Sequence, residues 1–268
     1  MKTNDNIFGS TYGLWRRLQD GQEKIIRFGS YHKRFKNQIR KQNGHEHQCS
    51  VMFLFYYFLI QIRPYVKLDE LLLTRCANIH DVPEGISGID TPAPTKKDED
   101  DLGEYIIFRR LYKPLGRKVW IEMQRAFLLQ FALKNPSCFP AEARRVMKES
   151  QEKNYYEALF FDGVQRMDYL YYAYECYQEC GISILMREVT QNQFHILEDI
   201  AYKLPGFSQI VWTPKVRRYF KTFISGGKNN HWQNWKENVA KLNITAQKTS
   251  NRPREQRELL PVLEHLHD

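Results

Sequence analysis

VMFLFYYFLIQI, residues 51–62, is the most apolar stretch of the chain. Its aromatic content also suits a strand, but the apolar run begins near Glu46, and a run of that length favours a helix. Arg63-Pro64 ends it, because proline disfavours helical backbone at the preceding residue. The stretch is too short to span a bilayer and contains a glutamine. We therefore predict a buried core helix.

The sequence outward from this run is also helical in pattern. Residues 68–79 (LDELLLTRCANI) carry apolar side chains at helical spacing and stop at His80-Asp81. Further helices are predicted over 104–134, 140–161, 162–179 and 187–203. Residues 85–103 contain several Gly and Pro residues and an acidic run, which predicts a loop that frames a site. The whole pattern predicts an all-α fold.

Length and composition suit one domain with an appendage. The chain has 268 residues, of which 42% are hydrophobic and 14% aromatic, enough to form a packed core. We predict a core domain over residues 1–205 and a basic, aromatic C-terminal extension over 206–268, with its charged end partly disordered.

The charge of the chain favours anionic partners. Forty Lys and Arg residues against 31 Asp and Glu residues give a net charge of +9 and a pI near 9.2. Nucleotides, nucleic acids and acidic lipid surfaces all fit that charge. Residues 213–236 interleave basic and aromatic side chains, which suits single-stranded nucleic acid but also a subunit interface or an ordinary amphipathic helix. The aromatic content also suits a homo-oligomer.

Cysteine usage and the N-terminal sequence point to the cytoplasm. The five cysteines have no paired spacing, which is typical of reduced, mostly buried thiols. The N-terminus shows no apolar signal segment. We therefore predict a cytoplasmic protein with no membrane partner.

Three short segments carry side chains suited to metal chemistry. Glu46-His47 open the apolar helix, HDVPEGISGID (residues 80–90) follows the next helix, and acidic and amide residues stand on the helix predicted over 162–179. An adjacent His and Asp at a helix end can point toward one centre, because the backbone there no longer repeats. Imidazoles and a carboxylate suit Mn, Co, Fe or Zn. Such an ion lowers the pKa of bound water and polarises a phosphoryl oxygen.

The order of these segments resembles the HD-domain superfamily of metal-dependent phosphohydrolases, and within it the branch of the bacterial 5′-deoxynucleotidases. The resemblance runs from about residue 25 to residue 175 and is sharpest over 79–90. It implies a compact HD-domain helical bundle. It also implies the following roles: His47, His80 and Asp81 as metal ligands, Glu84 as the acid that works on the attacking water, Asp90 as a catalytic carboxylate that holds the sugar, and Arg27 as the residue that binds substrate phosphate.

The chain departs from the family pattern at two positions. Residues 88–90 read Gly-Ile-Asp where the family has Gly-Asp, so the carboxylate is displaced by one residue. Gln165 stands where the family has an aspartate ligand, and its neutral carbonyl oxygen holds a divalent ion less tightly. Asp162, one turn away on the same face, is the alternative ligand. Both remain candidates for the fourth position, and Asp168 is a third.

The resemblance implies hydrolysis of a nucleotide phosphoester, with a deoxynucleoside 5′-monophosphate as the expected substrate. Deoxynucleoside triphosphate hydrolysis is the near alternative, because Arg109, Arg110 and Lys113 can neutralise further phosphates. A catalytically inactive HD-like protein that binds nucleotide or nucleic acid is the alternative from another class, and it would explain Gln165. For the hydrolase, the expected cofactor is a divalent transition metal, with Mg as a further option.

Overall fold

The structure is a computed structural model that describes residues 9–35, 39–89 and 96–225. No strand occurs in these ranges, where the closest approach to one is a single bridge between Ile26 and Asn43. The predicted all-α fold is confirmed. The helices are α1 Gly9–Lys24, α2 Gly29–Arg34, α3 Gly44–Ile62, α4 Glu70–Ile79, α5 Val82–Ser87, α6 Asp98–Tyr112, α7 Arg117–Leu128, α8 Ala141–Lys153, α9 Tyr155–Cys180, α10 Ser183–Lys203, α11 Phe207–Ile210 and α12 Pro214–Ser225, with 3₁₀ turns at Lys113–Leu115 and Leu129–Phe131.

Helix α3 is the apolar helix predicted from the sequence. Asn43 caps it: its side chain accepts from the backbone N–H of Glu46, and the Glu46 carboxylate accepts from the backbone N–H of Asn43, both at 2.9 Å. One face of α3 is buried in the core. The prediction of a buried helix is therefore only half right, since the opposite face carries exposed aromatic side chains.

The predicted loop over 85–103 is shorter than expected. Helix α5 continues to Ser87 and ends at Gly88, whose φ of +69° is the left-handed conformation that closes many helices. Helix α6 already begins at Asp98, so the acidic run forms its first turn. Carboxylates are favourable there because they face the positive end of the helix dipole.

Helix α9 is longer than the sequence suggested. It runs unbroken from Tyr155 to Cys180, whereas the pattern predicted a boundary near residue 161. The break falls instead at Asn154, which ends α8. A continuous α9 can therefore reach several of the other helices, and it packs against α3, α4, α8 and α10.

Helix α1 packs closely on α5 through glycine. A Cβ added to Gly21 would lie 1.6 Å from the carbonyl oxygen of Gly85, so the two backbones touch without room for a side chain. The Gln22 side chain passes between Gly44 and Gly85, and its amide donates to the carbonyl oxygen of Asp81 at 2.8 Å. Three glycines thus allow α1 to hold the turn that carries Asp81.

Core packing continues past residue 205. Phe207, Trp212 and Phe220 are buried, and α12 packs on α10. The part of the predicted extension from 206 to 225 therefore packs against the predicted domain. The rest of that extension, including the basic aromatic segment beyond residue 225, lies outside the described residues. Within the described ranges, none of the helices has the length and apolar character needed to cross a membrane.

Candidate metal centre

Three elements bring His47, His80 and Asp81 to one point in the core. His47 lies in the first turns of α3 on its buried face. His80 ends α4, and Asp81 directly precedes α5, so neighbouring residues belong to two different helices. One nitrogen of each ring and one Asp81 carboxylate oxygen lie within 4.8 Å of one another. All three residues are buried.

Hydrogen bonds fix the orientation of both imidazoles. Nδ1 of His80 lies 2.9 Å from the carbonyl oxygen of Ala77, and Nδ1 of His47 lies 2.7 Å from Oδ2 of Asp168. Because both partners are acceptors, each Nδ1 must carry the proton. In the neutral imidazole, each Nε2 is then a bare acceptor. Both Nε2 atoms point toward Asp81.

The two Nε2 atoms and an oxygen of Asp81 face one another, and no hydrogen-bond donor of the described residues lies between them. Nε2 of His47 and Nε2 of His80 each lie 3.2 Å from Oδ2 of Asp81. All three atoms are buried and lack a hydrogen-bond partner. Facing lone pairs in a dry interior repel one another unless a cation lies between them. Ligands about 2.1 Å from one ion are separated by about 3.0–3.4 Å, and the two contacts fall in that interval.

Aromatic rings enclose the histidines. The Tyr169 ring stacks parallel to His47 at 6.1 Å, and the Phe161 ring meets His80 edge-on at 5.3 Å. Both aromatic residues stand on α9. They restrict the imidazoles from the side and help to exclude water, which strengthens the electrostatic interactions inside the cluster.

The local charges shift the pKa values of the cluster. Burial and the Arg27 guanidinium both lower the pKa of His47. The Asp168 and Asp81 carboxylates outweigh them, and the net pKa is raised. Burial raises the pKa of Asp81, but the neighbouring imidazoles, led by His80, hold it well below the ordinary value. Without an ion the surrounding charges thus favour protonation of His47 and a negative charge on Asp81, and a cation would take the place of that positive charge.

Arg27 and Glu84 form a buried ion pair beside the cluster. The guanidinium of Arg27 donates to Oε2 of Glu84 at 2.9 Å and lies 3.8 Å from Oδ2 of Asp81. Glu84 stands in the first turn of α5, one turn after Asp81. The residues that the resemblance assigns to phosphate and water therefore adjoin the cluster.

The backbone around Arg27 is held in an unusual conformation. Its N–H donates to the carbonyl oxygen of Gln42 at 2.8 Å. The next residue, Phe28, has a φ of +58°, which is strained for a side chain of this size. Its ring stacks on Tyr172 of α9 at 4.2 Å. These contacts pin the bend that turns Arg27 into the core.

A second group of charged residues, which the sequence did not single out, lies on the Glu84 side. Nζ of Lys96 lies 2.6 Å from Glu104 and 3.3 Å from Asp101, and both carboxylates belong to α6. Burial lowers the pKa of Lys96, but Glu104, Glu84 and Asp101 raise it well above the ordinary value. Burial, together with the charges of Asp101 and Asp81, raises the pKa of Glu104 to about 7 despite Lys96. The available signal was the acidic run at the start of α6, of which only Asp101 is buried.

The three candidates for a fourth ligand have different surroundings. The Asp162 carboxylate pairs with Arg166, with contacts of 3.0 Å, and lies outside the cluster. Asp168 contacts His47 and also accepts from the Ser50 hydroxyl, so both of its oxygens are engaged. Gln165, half-buried, follows Phe161 by four residues and precedes Asp168 by three, so it shares the face of α9 that contacts the histidines.

The contact between Asp168 and His47 was not predicted from the sequence. Asp168 was the third candidate for the fourth ligand, and its carboxylate holds Nδ1 of His47 from 121 positions further along the chain. A carboxylate on the far nitrogen of a histidine is a common support for metal sites. The predicted Asp90 lies outside the described residues.

Comparisons with protein-family models, curated proteins and solved structures gave no match for this chain. The geometry of the chain's own residues is therefore what supports a metal centre.

Proposed function

We propose that the chain is a metal-dependent phosphohydrolase that acts on a nucleotide, with a deoxynucleoside 5′-monophosphate as the proposed substrate. The observation that supports this most is the convergence of three buried, unpartnered acceptor atoms from His47, His80 and Asp81. Two imidazole nitrogens and a carboxylate oxygen match the donor set that Mn, Co, Fe and Zn accept, while Mg prefers oxygen ligands.

These three side chains would hold the ion. The chemistry that a divalent ion supplies there is Lewis acidity toward a phosphoryl oxygen and activation of water. Asp168 keeps His47 in the tautomer that presents Nε2, and the Ala77 carbonyl does the same for His80. The protein thus prepares the ligand atoms before an ion arrives.

Arg27 is the proposed phosphate-binding residue. Its guanidinium lies 3.8 Å from Oδ2 of Asp81, so a phosphate beside that oxygen is within its reach. A planar guanidinium can bind two phosphate oxygens at once. The bend at Phe28 fixes the direction from which the side chain enters.

Glu84 is the proposed proton acceptor for water. Its ion pair with Arg27 keeps the carboxylate oriented toward the cluster. A carboxylate so placed can take a proton from water as that water attacks phosphorus. Arrival of a phosphate would compete for Arg27 and weaken its hold on Glu84, which increases the basicity of Glu84.

The substrate assignment rests on the resemblance to the 5′-deoxynucleotidase branch. By the same resemblance, Asp90 would hold the sugar. A deoxynucleoside triphosphate is the alternative substrate.

A binding protein without catalysis is the second candidate, and Gln165 favours it. Gln165 shares the cluster-facing side of α9 where the family has an aspartate ligand. If the metal centre is weakened there, Gln165→Asp should raise the affinity for Mn²⁺. Asp162→Asn should leave that affinity unchanged, because Asp162 pairs with Arg166. An affinity that falls with Asp162→Asn and ignores Gln165→Asp would make Asp162 the ligand.

The test of the proposed function is phosphate release from a panel of deoxynucleoside mono- and triphosphates with Mn, Co, Zn or Mg. We expect metal-dependent release by the natural sequence and none by His80→Ala or Asp81→Ala. Asp199→Ala, which removes an exposed carboxylate paired with Lys203, is the control and should retain activity. A folded, metal-loaded protein that releases no phosphate would refute nucleotide hydrolysis, and a protein that binds no metal would favour the second candidate.

A further inference from the structure

The corner between α6 and α7 is basic and carries no acidic residue. From residue 105 to residue 121 the chain has no Asp or Glu, and it holds the cations Arg109, Arg110, Lys113, Arg117 and Lys118. None of the ion pairs between described residues includes these cations. The next acidic residue, Glu122, is already paired with Arg75 at 2.9 Å. The corner therefore presents positive charge that the described part of the chain leaves without an anionic partner.

The tip of the corner is exposed and partly apolar. Residues 113–119 are all exposed. Leu115, in the 3₁₀ turn, is 60% exposed, and Ile121 of α7 is 53% exposed. Arg117 and Lys118 precede Ile121 by four and three residues, so these three side chains share one face of α7. The face that holds Trp120 is buried in the core instead.

Helix stability does not explain the cations of this corner. Helix α7 begins after Gly116, no side chain caps it, and its first turn contains Arg117 and Lys118 but no acidic residue. Cations there oppose the helix dipole, which favours negative charge at this end. At the end of α6, Nη1 of Arg110 is buried and has no hydrogen-bond partner. Both features are unfavourable in the isolated chain, and anionic oxygens at the corner would relieve them.

The apolar side chains of the corner favour a lipid surface over a nucleic acid. Proteins that bind single-stranded nucleic acid stack its bases on exposed aromatic rings. The rings of this segment are occupied, since Trp120 is buried and Tyr112 stacks on Phe108 at 4.4 Å. The exposed residues beside the cations are aliphatic: Leu115 and Ile121. Such side chains enter a lipid headgroup layer but gain nothing from a phosphate backbone.

We propose that the corner between α6 and α7 docks on an anionic lipid surface, with Leu115 in the headgroup layer and Arg117 and Lys118 against the lipid phosphates. A surface contact of this kind needs no membrane-spanning helix. The sequence-based prediction of no membrane partner was drawn from apolar segments alone, and this proposal revises it. None of the residues placed in the metal centre takes part, so the proposal is independent of the proposed function.

The first test is sedimentation of the whole chain with vesicles of phosphatidylcholine mixed with phosphatidylglycerol, and with vesicles of phosphatidylcholine alone. We expect the natural sequence to bind the anionic vesicles and not the neutral ones. Raising the salt from about 0.1 M to about 1 M should release most of the protein, because the Debye length falls from about 10 Å to about 3 Å.

Charge reversal tests whether this corner is the binding surface. Each cation beside an anionic membrane contributes roughly fivefold to binding, so Arg117→Glu with Lys118→Glu should lower the partition coefficient on the order of 100-fold. Lys67→Glu with Lys153→Glu is the matched control, because it changes the net charge equally at two exposed lysines elsewhere in the chain. Its partition coefficient should stay within about twofold, since distant surface charges are screened. Unchanged circular dichroism would show that both proteins fold.

A second measurement tests the apolar part of the contact. Leu115→Ser should weaken binding to anionic vesicles roughly fivefold, because a leucine side chain no longer leaves water. Leu71→Ser is the control, since Leu71 is 59% exposed but lies on α4. With Leu115→Trp, brominated lipids should quench additional tryptophan fluorescence, and with Leu71→Trp they should not.

Three outcomes would overturn the proposal. One is a natural sequence that does not sediment with anionic vesicles, including one that instead binds a DNA oligonucleotide through Arg117 and Lys118. Another is vesicle binding that survives reversal of both charges, which would place the contact elsewhere in the chain. The third is binding that depends on the two cations but is unchanged by Leu115→Ser, with no quenching of Leu115→Trp.

Discussion

The two faces of α3 each depart from the usual rule of burial. Its inner face is apolar except at His47, which is buried with one ring nitrogen left without a hydrogen-bond partner. Its outer face leaves Phe53, Tyr57 and Ile60 in solvent. In most proteins polar groups are exposed and large apolar side chains are buried. Both departures cost stability in the isolated chain, and the proposed cation would relieve the one on the inside.

The two faces should differ in their sensitivity to substitution. The proposed metal centre on the inner face would need fixed distances, because a metal site fails when its ligands move by fractions of an ångström. The exposed outer face has no such requirement. Substitutions should therefore act separately on the two faces, and five predictions test that separation.

The largest effect is expected at His47. His47→Ala should remove bound Mn²⁺, Co²⁺ or Zn²⁺, because it deletes one of the three proposed ligands. His45→Ala is the matched control two residues away, where the ring contacts the carbonyl oxygen of Gln19 instead. Metal analysis of both proteins after loading and desalting measures the difference. Equal metal content would refute the centre.

Asp168→Asn should weaken metal binding without abolishing it. The amide keeps the shape of the carboxylate but no longer fixes His47 by charge, and such supporting residues typically contribute about 10- to 100-fold in affinity. Calorimetric titration with Mn²⁺ measures the change, with exposed Asp199→Asn as control. Complete loss of binding would instead make Asp168 a direct ligand.

Gly21→Ala should destabilise the scaffold of the cluster. Its Cβ would overlap the backbone of Gly85, and an overpacked core position costs about 1–3 kcal/mol or more. Gly13→Ala, in the same helix, meets no atom within 4 Å and should add about 0.5–1 kcal/mol. Denaturant unfolding compares the two. Equal stability changes would show that α1 does not pack on α5 as described.

The buried carboxyl group of Glu104, near Glu84, should make the free energy of unfolding depend on pH. Burial raises the pKa of Glu104 from 4.5 to about 7, so between these values the folded protein binds more protons than the unfolded one. Its unfolding free energy therefore falls as pH rises through that window, by up to about 3 kcal/mol.

Glu104→Gln should flatten this part of the pH profile, since the amide does not titrate. Urea unfolding at pH 5 and pH 8 measures the slope. Glu152→Gln, an exposed residue of α8, should leave the slope unchanged. A Glu104→Gln profile as steep as that of the natural sequence would contradict the buried carboxyl.

The smallest effect is expected from the outer face on the inner one. Ile60→Glu should leave the affinity for Mn²⁺ within about twofold, because the substituted side chain points away from His47. The calorimetric titration used for Asp168→Asn measures it. A large loss of metal affinity would show that a substitution on the outer face of α3 affects its inner face, contrary to this prediction.

Part of the candidate centre could be predicted from neighbouring residues and from the apolar spacing of a single helix. His80 and Asp81 are adjacent, and the apolar period of the preceding helix shows that they stand at its end. Arg27 and Glu84 were singled out only through the resemblance, and both lie beside the cluster. The sequence did not single out Gln22 and Lys96, because no recognisable spacing marks a polar residue beside a glycine or in a loop.

The sequence by itself determined the helical fold and the chemical types available at the centre, because helix formation depends on the spacing of apolar residues along a few turns. Only the tertiary structure decided which nitrogen of His47 is free, since that depends on Asp168 of a distant helix. Only the tertiary structure decided that one face of α3 stays exposed. The spacing of apolar residues along the sequence shows that a helix is apolar. Contacts between segments far apart in the chain decide which neighbours pack against each face.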